Sequence, residues 1–153
     1  MSGERVEYVC MKTNIKQILT NKINSSEWWH VTPMDPDAYS KRGKFLASTY
    51  KRAEFYGRPN DIPEKVDVRN PVYGFSEKEI LEKLFPDKSS QTLINNILKS
   101  ESWYEKRIEL DAKMIRKAEA LGYDAIVLIC SNGKKALQKR SKPRSIELNL
   151  VHV

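Results

Sequence analysis

The side chains best suited to chemistry are few. The chain has two histidines, His30 and His152, and two cysteines, Cys10 and Cys130. Those residue types serve metal binding or a nucleophile–base pair, and the spacing argues against both. Ligands at zinc-site spacing are lacking, and neither cysteine sits in a reactive signature. No Gly-x-Ser-x-Gly occurs, so a hydrolase nucleophile elbow is not indicated. No Gly-x-Gly-x-x-Gly marks a Rossmann or phosphate-loop nucleotide site either. Both cysteines lie within apolar runs and read as buried free thiols in a reducing cytosol. Two stretches remain. One is Trp28-Trp29-His30-Val31-Thr32-Pro33, an imidazole and a hydroxyl among apolar residues. The other runs from Phe45 to Gly57 and ends in Ala53-Glu54-Phe55-Tyr56.

The elements that position these groups follow from periodicity and punctuation. Residues 28–32 read as a short buried strand that Pro33 ends. Phe45 to Ala47 reads as a strand that changes to a helical period at Ser48, a natural N-cap, with Ala53 and Tyr56 on one helical face. Between them, residues 34–44 read as a loop, marked by Pro33, Pro36, aspartates and Gly43. Upstream, residues 5–11 read as a first strand, and residues 14–22 as a helix with Ile15, Ile18 and Leu19 at helical spacing. Downstream, residues 65–68 alternate like a strand that Asn70-Pro71 closes. Ser76-x-x-Glu79 forms a capping box for a helix through Leu84. Residues 90–99 predict a helix with Leu93, Ile94, Ile97 and Leu98 on one face. Residues 103–121 predict the longest one, with Leu110, Met114, Ala118 and Leu121 in a stripe and Gly122 as its stop. Ala125 to Ile129 is apolar throughout, the pattern of a central strand. Residues 145–153 alternate as a terminal strand. Strands at both ends with helices between them predict an α+β fold in one domain over residues 1–153.

Composition narrows the partners. Lys plus Arg number 27 against 20 Asp plus Glu, a formal net charge of +7 that favours a polyanionic or acidic partner. The cations concentrate over residues 134–144, at Lys134, Lys135, Lys139, Arg140, Lys142 and Arg144. A solvated loop is the plain reading of that stretch. No apolar run is long enough to span a bilayer, and no apolar segment of a secretory signal follows Met1, so a cytoplasmic location is expected.

The order of elements resembles the ADP-ribosyltransferase fold, on the diphtheria-toxin and poly(ADP-ribose) polymerase side of that superfamily. The resemblance rests on His30-x-Thr32, on Phe45-Leu46-Ala47-Ser48 leading to Ala53-x-x-Tyr56, and on Glu147 in Ser145-Ile146-Glu147-Leu148-Asn149-Leu150. The stretches Val66 to Pro71 and Gly122 to Val127 are similar to family features too. It implies a split β-sandwich with helices between the strands, and NAD as co-substrate. It implies that Glu147 is the catalytic carboxylate, holding the ribose 2′-hydroxyl and supporting the oxocarbenium-like state. His30 and Thr32 would position the dinucleotide, with Ser48 beside them. Tyr56 would stack on nicotinamide with Phe45 as the opposite wall. The register has an alternative: Tyr8 to Thr13 also fits the family's first strand, with Met11 where histidine belongs.

Family members that modify arginine carry Glu two residues before the catalytic one. Ser145 holds that position, so arginine is not the expected acceptor. The segment before the glutamate strand commonly faces the acceptor, which assigns Lys134, Lys135, Lys139 and Arg140 to acceptor binding and points to a nucleic acid or an acidic protein. The setting stays open between a toxin-like protein, a phage modifier and a housekeeping enzyme. An RNA 2′-phosphotransferase and a non-catalytic nucleic-acid-binding module are the alternative functions.

Overall fold

A computed structural model describes residues 15–35 and 37–152; the strand expected over residues 5–11, with Cys10 and the Met11 register, lies outside the described residues. Helix α1 covers residues 15–25 and runs past its expected end because Ile23 continues the buried stripe of Leu19. Trp28 is fully buried and its indole N–H donates to the Ile23 carbonyl at 2.8 Å. Its backbone exchanges both hydrogen bonds with Glu64, so strand β1 is only Trp29–His30, shorter than expected.

The segment expected as loop over residues 34–44 contains helix α2 (Ala38–Arg42). Gly43 stops it at φ +71, where a Cβ would stand 2.2 Å from the Leu150 carbonyl oxygen. Local Pro and Asp signals do not register the long-range partner that holds this helix, an Arg42–Asp111 ion pair at 3.0 Å. Strand β2 (Lys44–Ala47) leads into α3 (Tyr50–Ala53) and a 3-10 turn, Glu54–Tyr56. The N-cap is Thr49, whose hydroxyl accepts from the Arg52 N–H at 3.1 Å, and not Ser48. Ser48 instead extends the sheet: its N–H donates to the Ile146 carbonyl at 3.0 Å and its Oγ accepts the Ile146 N–H at 2.9 Å.

Residues 65–68 make no strand. Asn24 clamps the Val68 N–H and carbonyl at 2.7 Å each, and Val66 and Val68 pack on the core, so their alternation records packing without pairing. Strand β3 is Pro71–Gly74, so Pro71 opens a strand where it was expected to close one; the first position tolerates its missing N–H. Helix α4 (Glu77–Leu84) starts from the expected cap, with Ser76 Oγ accepting the Glu79 N–H at 3.2 Å. The Glu79 carboxylate accepts the Phe75 N–H at 2.8 Å. Helix α5 (Ser90–Leu98) buries Ile97 but leaves Leu98 exposed, contrary to its expected place. Helix α6 (Trp103–Ala120) buries Leu110, Met114 and Ala118, while Leu121 lies past its end and is exposed.

Strand β4 (Ala125–Ile129) is the expected apolar strand, with its free Cys130 just beyond it half-buried and not enclosed. Helix α7 (Gly133–Gln138) takes up the first half of the basic stretch that reads as loop. Leu137 anchors it at zero exposure, and Gly133 lies so close to Ile129 that a Cβ would meet its Cγ2 at 2.2 Å. Strand β5 (Ile146–Leu150) follows.

The fold is mixed α+β, and the described strands form one five-stranded sheet in the order β1-β2-β5-β4-β3. Only β3 and β4 pair in parallel; β1–β2, β2–β5 and β5–β4 are antiparallel. One face packs Leu46, Val127, Ile146 and Leu148 against Leu19, Ile23, Trp28 and Leu137. The other packs Val72 and Ile126 against Leu81, Ile97, Met114 and Ala118 of α4 to α6. Each large side chain taken fully out of water contributes roughly 1.5–3 kcal/mol, so both layers are needed to hold a sheet of such short strands. Among the described residues, no helix is long and apolar enough to cross a membrane.

Candidate functional site

Side chains of directly paired residues share a sheet face, and successive residues alternate. The register therefore sets Trp29, Ala47, Glu147 and Leu128 in one row on one face. Glu147 is the one buried carboxylate among the described residues, 8% exposed. It sits on the middle strand of the sheet, and its neighbour on β2 is the small Ala47, which leaves room above the row for other side chains. Phe45, two residues before Ala47, projects from the same face.

The chain folds α3 and its 3-10 turn back over this row. The Tyr56 hydroxyl donates to Oε1 of Glu147, and the Arg52 Nε donates to the same oxygen at 3.3 Å. Both contacts go to Oε1, and Oε2 has no hydrogen-bond partner among the described residues. The Tyr56 and Phe45 rings touch, centroids 4.5 Å apart and planes tilted by 53°. Trp29 meets Tyr50 edge-on at 5.1 Å. A buried acid is thus floored by the sheet and rimmed by aromatic rings.

The charges reinforce one another. Burial of the hydroxyl end, then the bond to Glu147, push the Tyr56 phenol from 10.0 up to about 12, so it stays a donor across the physiological range. The hydrogen bond and the charge of Glu147 raise the already high pKa of Arg52. The Arg52 guanidinium also lies over the Phe55 ring at 5.4 Å. Sequence reading missed Arg52. The available signal was its place four residues before Tyr56, one helical turn away on the same side.

The other expected residues are arranged differently. His30 pairs with Leu46, which puts its side chain on the face opposite Glu147. The ring is 4% exposed, and Nδ1 lies 2.7 Å from the Phe45 carbonyl oxygen. A carbonyl only accepts, so Nδ1 donates there, and Nε2 lies 2.9 Å from the Tyr39 hydroxyl. Both ring nitrogens are therefore engaged within the protein. Thr32 is exposed and donates to Asn60 Oδ1 at 3.1 Å. Ser48 is committed to Ile146.

Of the acceptor-binding residues, Lys134 lines a cavity of about 470 Å³ with Tyr73, Phe75 and Lys83. Tyr73 and Phe75 pack on the face that carries Leu148, so this cavity is away from Glu147. Lys135, Lys139 and Arg140 are exposed on α7 and the turn after it. Among the described residues no group of His, Cys, Asp and Glu side chains is clustered to hold a metal ion. Comparison of the chain with protein-family models, with curated proteins and with solved structures finds no match.

Proposed function

We propose that the protein is an NAD-dependent ADP-ribosyltransferase with an ADP-ribosyltransferase-like fold, acting on a nucleic acid or a nucleic-acid-associated protein. One observation carries the reading: a buried carboxylate, Glu147, on the middle strand under the aromatic pair Phe45–Tyr56. A carboxylate screened from water stabilises a developing cation better than one in water. In the proposed reaction the bond between nicotinamide and its ribose breaks, and the electron pair leaves with nicotinamide. Glu147 offsets the positive charge on the ribose and accepts from the 2′-hydroxyl through Oε2. A nucleophilic atom of the acceptor then bonds to the same ribose carbon and releases its proton.

The residues fit a nicotinamide riboside in part. A planar ring between Phe45 and Tyr56 needs about 7 Å between their planes, twice the usual stacking distance, and the two rings are in contact. Ligand entry therefore requires Tyr56 to swing away, which also breaks its bond to Glu147. The reading uses Glu147, Tyr56 and Phe45; His30, on the other face with both nitrogens engaged, is given no ligand contact. The experiment is nicotinamide release from NAD by the parent protein and by Glu147→Gln. Release by the parent and loss in the variant are expected; equal release by both sinks the mechanism.

A second reading is a nucleic-acid-binding module without catalysis, favoured by the engagement of His30 and by the ion pair that Arg52 makes with Glu147. It predicts salt-sensitive binding that ignores NAD. The phosphotransferase alternative calls for paired basic residues, and Arg52 is the one cation that contacts Glu147 among the described residues.

A further inference from the structure

The surface beside Glu147 combines exposed aromatic rings with exposed cations, as Trp103 and Tyr104 with Lys106 do on α6, and here the two are linked by contacts to the buried carboxylate. Within residues 50–58, Tyr50 is 41% exposed, Tyr56 54% and Phe55 81%. Interleaved with them are Lys51 and Arg58, both exposed, and Arg52, whose side chain is 40% exposed. One acid, Glu54, stands among the three cations. A single exposed aromatic residue needs no explanation, but three within one short lip do. The basic stretch after β4 differs: its lysines and arginines stand without an exposed aromatic among them.

Phe55 projects from the 3-10 turn with one side of its ring near the Arg52 guanidinium, and Arg52 in turn holds the buried carboxylate through Nε. A chain of contacts thus runs from a solvent-facing ring to Glu147. Flat rings beside mobile cations suit single-stranded nucleic acid, whose bases are free to stack and whose phosphates meet the charges. A duplex keeps its base faces covered and offers such a ring nothing.

We propose that α3 and the 3-10 turn form a docking lip for single-stranded nucleic acid, with a base on Phe55 and backbone phosphates on Lys51, Arg52 and Arg58. The lip leads the strand to Glu147; that it is the acceptor rests on the ADP-ribosyltransferase reading, whereas the binding does not. The basic stretch over residues 134–144 is then secondary to it.

The test measures fluorescence anisotropy of labelled single-stranded DNA and RNA oligonucleotides with the full chain over a range of salt. Phe55→Ala is expected to weaken binding roughly ten-fold, the usual scale for loss of one stacking platform. The pair Lys51→Ala and Arg58→Ala should reduce the slope of log affinity against log salt by about 1.4. The pair Lys139→Ala and Arg140→Ala should change affinity by less than Phe55→Ala does. An unchanged thermal midpoint for Phe55→Ala, whose ring is exposed, excludes a folding defect. Absence of oligonucleotide binding, tighter binding of duplex, or parental affinity in both lip variants overturns the lip. Binding that is lost in the lip variants without any nicotinamide release keeps the lip and overturns the enzymatic reading; the converse result overturns the lip alone.

Discussion

Tyr56 and Glu147, 91 positions apart, are joined by a hydrogen bond from the phenol to Oε1 of the carboxylate. The same ring rests on Phe45. Tyr56 therefore holds the carboxylate and covers it, and a planar ligand has to displace it to reach either Phe45 or Glu147. Local helix geometry supplies this contact, because the 3-10 turn after α3 tightens the chain where Gly57, at φ +146, sends it away.

That bond is readable as a titration. The folded pKa of Tyr56 is raised from 10.0 to about 12, so its contribution to stability is complete below pH 10 and is lost as pH rises from about 10 to about 12. The stability difference between the parent protein and Tyr56→Phe, followed by denaturant unfolding, should be flat below pH 10 and shrink above it. Ultraviolet titration of tyrosinate should show one high-pKa tyrosine fewer in Tyr56→Phe. In Glu147→Gln that tyrosine should titrate closer to 10, because the anionic partner is gone.

His30 is expected to be structural. His30→Ala leaves the Phe45 carbonyl and the Tyr39 hydroxyl without partners in a buried site, at a cost of about 1–3 kcal/mol. Tyr39→Phe should cost about 1 kcal/mol. If the protein turns over NAD as proposed, neither should alter its KM at temperatures where the variant is folded. A raised KM with unchanged stability would instead give His30 a ligand contact.

Gly43 is expected to tolerate no side chain. At φ +71 with the Leu150 carbonyl 2.2 Å from a built Cβ, Gly43→Ala has to move α2 or the end of β5. A loss of roughly 3 kcal/mol is expected, from backbone strain plus the steric clash. Thermal unfolding measures it, and a midpoint within two or so degrees of the parent, about the shift from a fraction of a kcal/mol, would contradict it.

Arg107 ties α4 to α6. Its guanidinium donates to both oxygens of Glu77, at 2.7 Å from Nη1 to Oε1, and reaches Asp111 at 3.1 Å. Arg107→Ala leaves these acids near each other, with only Arg42 on Asp111. About 2 kcal/mol of lost stability is expected, below the roughly 3–5 of a fully buried pair because the side chain is 35% exposed. Burial holds the Asp111 carboxyl above the ordinary range despite its two arginines. Its protonation therefore favours the folded state, and the cost of Arg107→Ala should shrink as pH falls through the carboxylate range. Denaturant unfolding at neutral and acid pH checks both statements.

What the sequence made legible were elements whose pattern has a single cause. Ala125 to Ile129 is apolar on both faces and is a central strand. Ser76 and Glu79 cap α4 because the motif is local and complete. Errors arose where two causes leave one pattern. Val66 and Val68 alternate because they pack, and Asn24 from α1 takes the backbone groups that a strand would pair. Ser48 and Thr49 are equally good caps in composition, and only the distant Ile146 decides which one is free to act. The same limit applies to the site. Glu147, Phe45 and Tyr56 meet because β2 pairs with β5, whereas the short β1 puts His30 on the other face, a parity that depends on register and not on the local apolar pattern.

The place of β5 in the sheet has a consequence for synthesis. It is the last described element to be made, yet it inserts between β2 and β4 and carries the buried carboxylate. Before it arrives, β2 and β4 are two unjoined edges, and α3 has nothing to close over. A chain short of residue 147 therefore lacks both the pairing that joins β2 to β4 and the carboxylate that Arg52 and Tyr56 contact. Joining the two parts of the sheet and supplying the acid on which Arg52 and Tyr56 close are thus tasks of one strand, so the cluster cannot form before the sheet does.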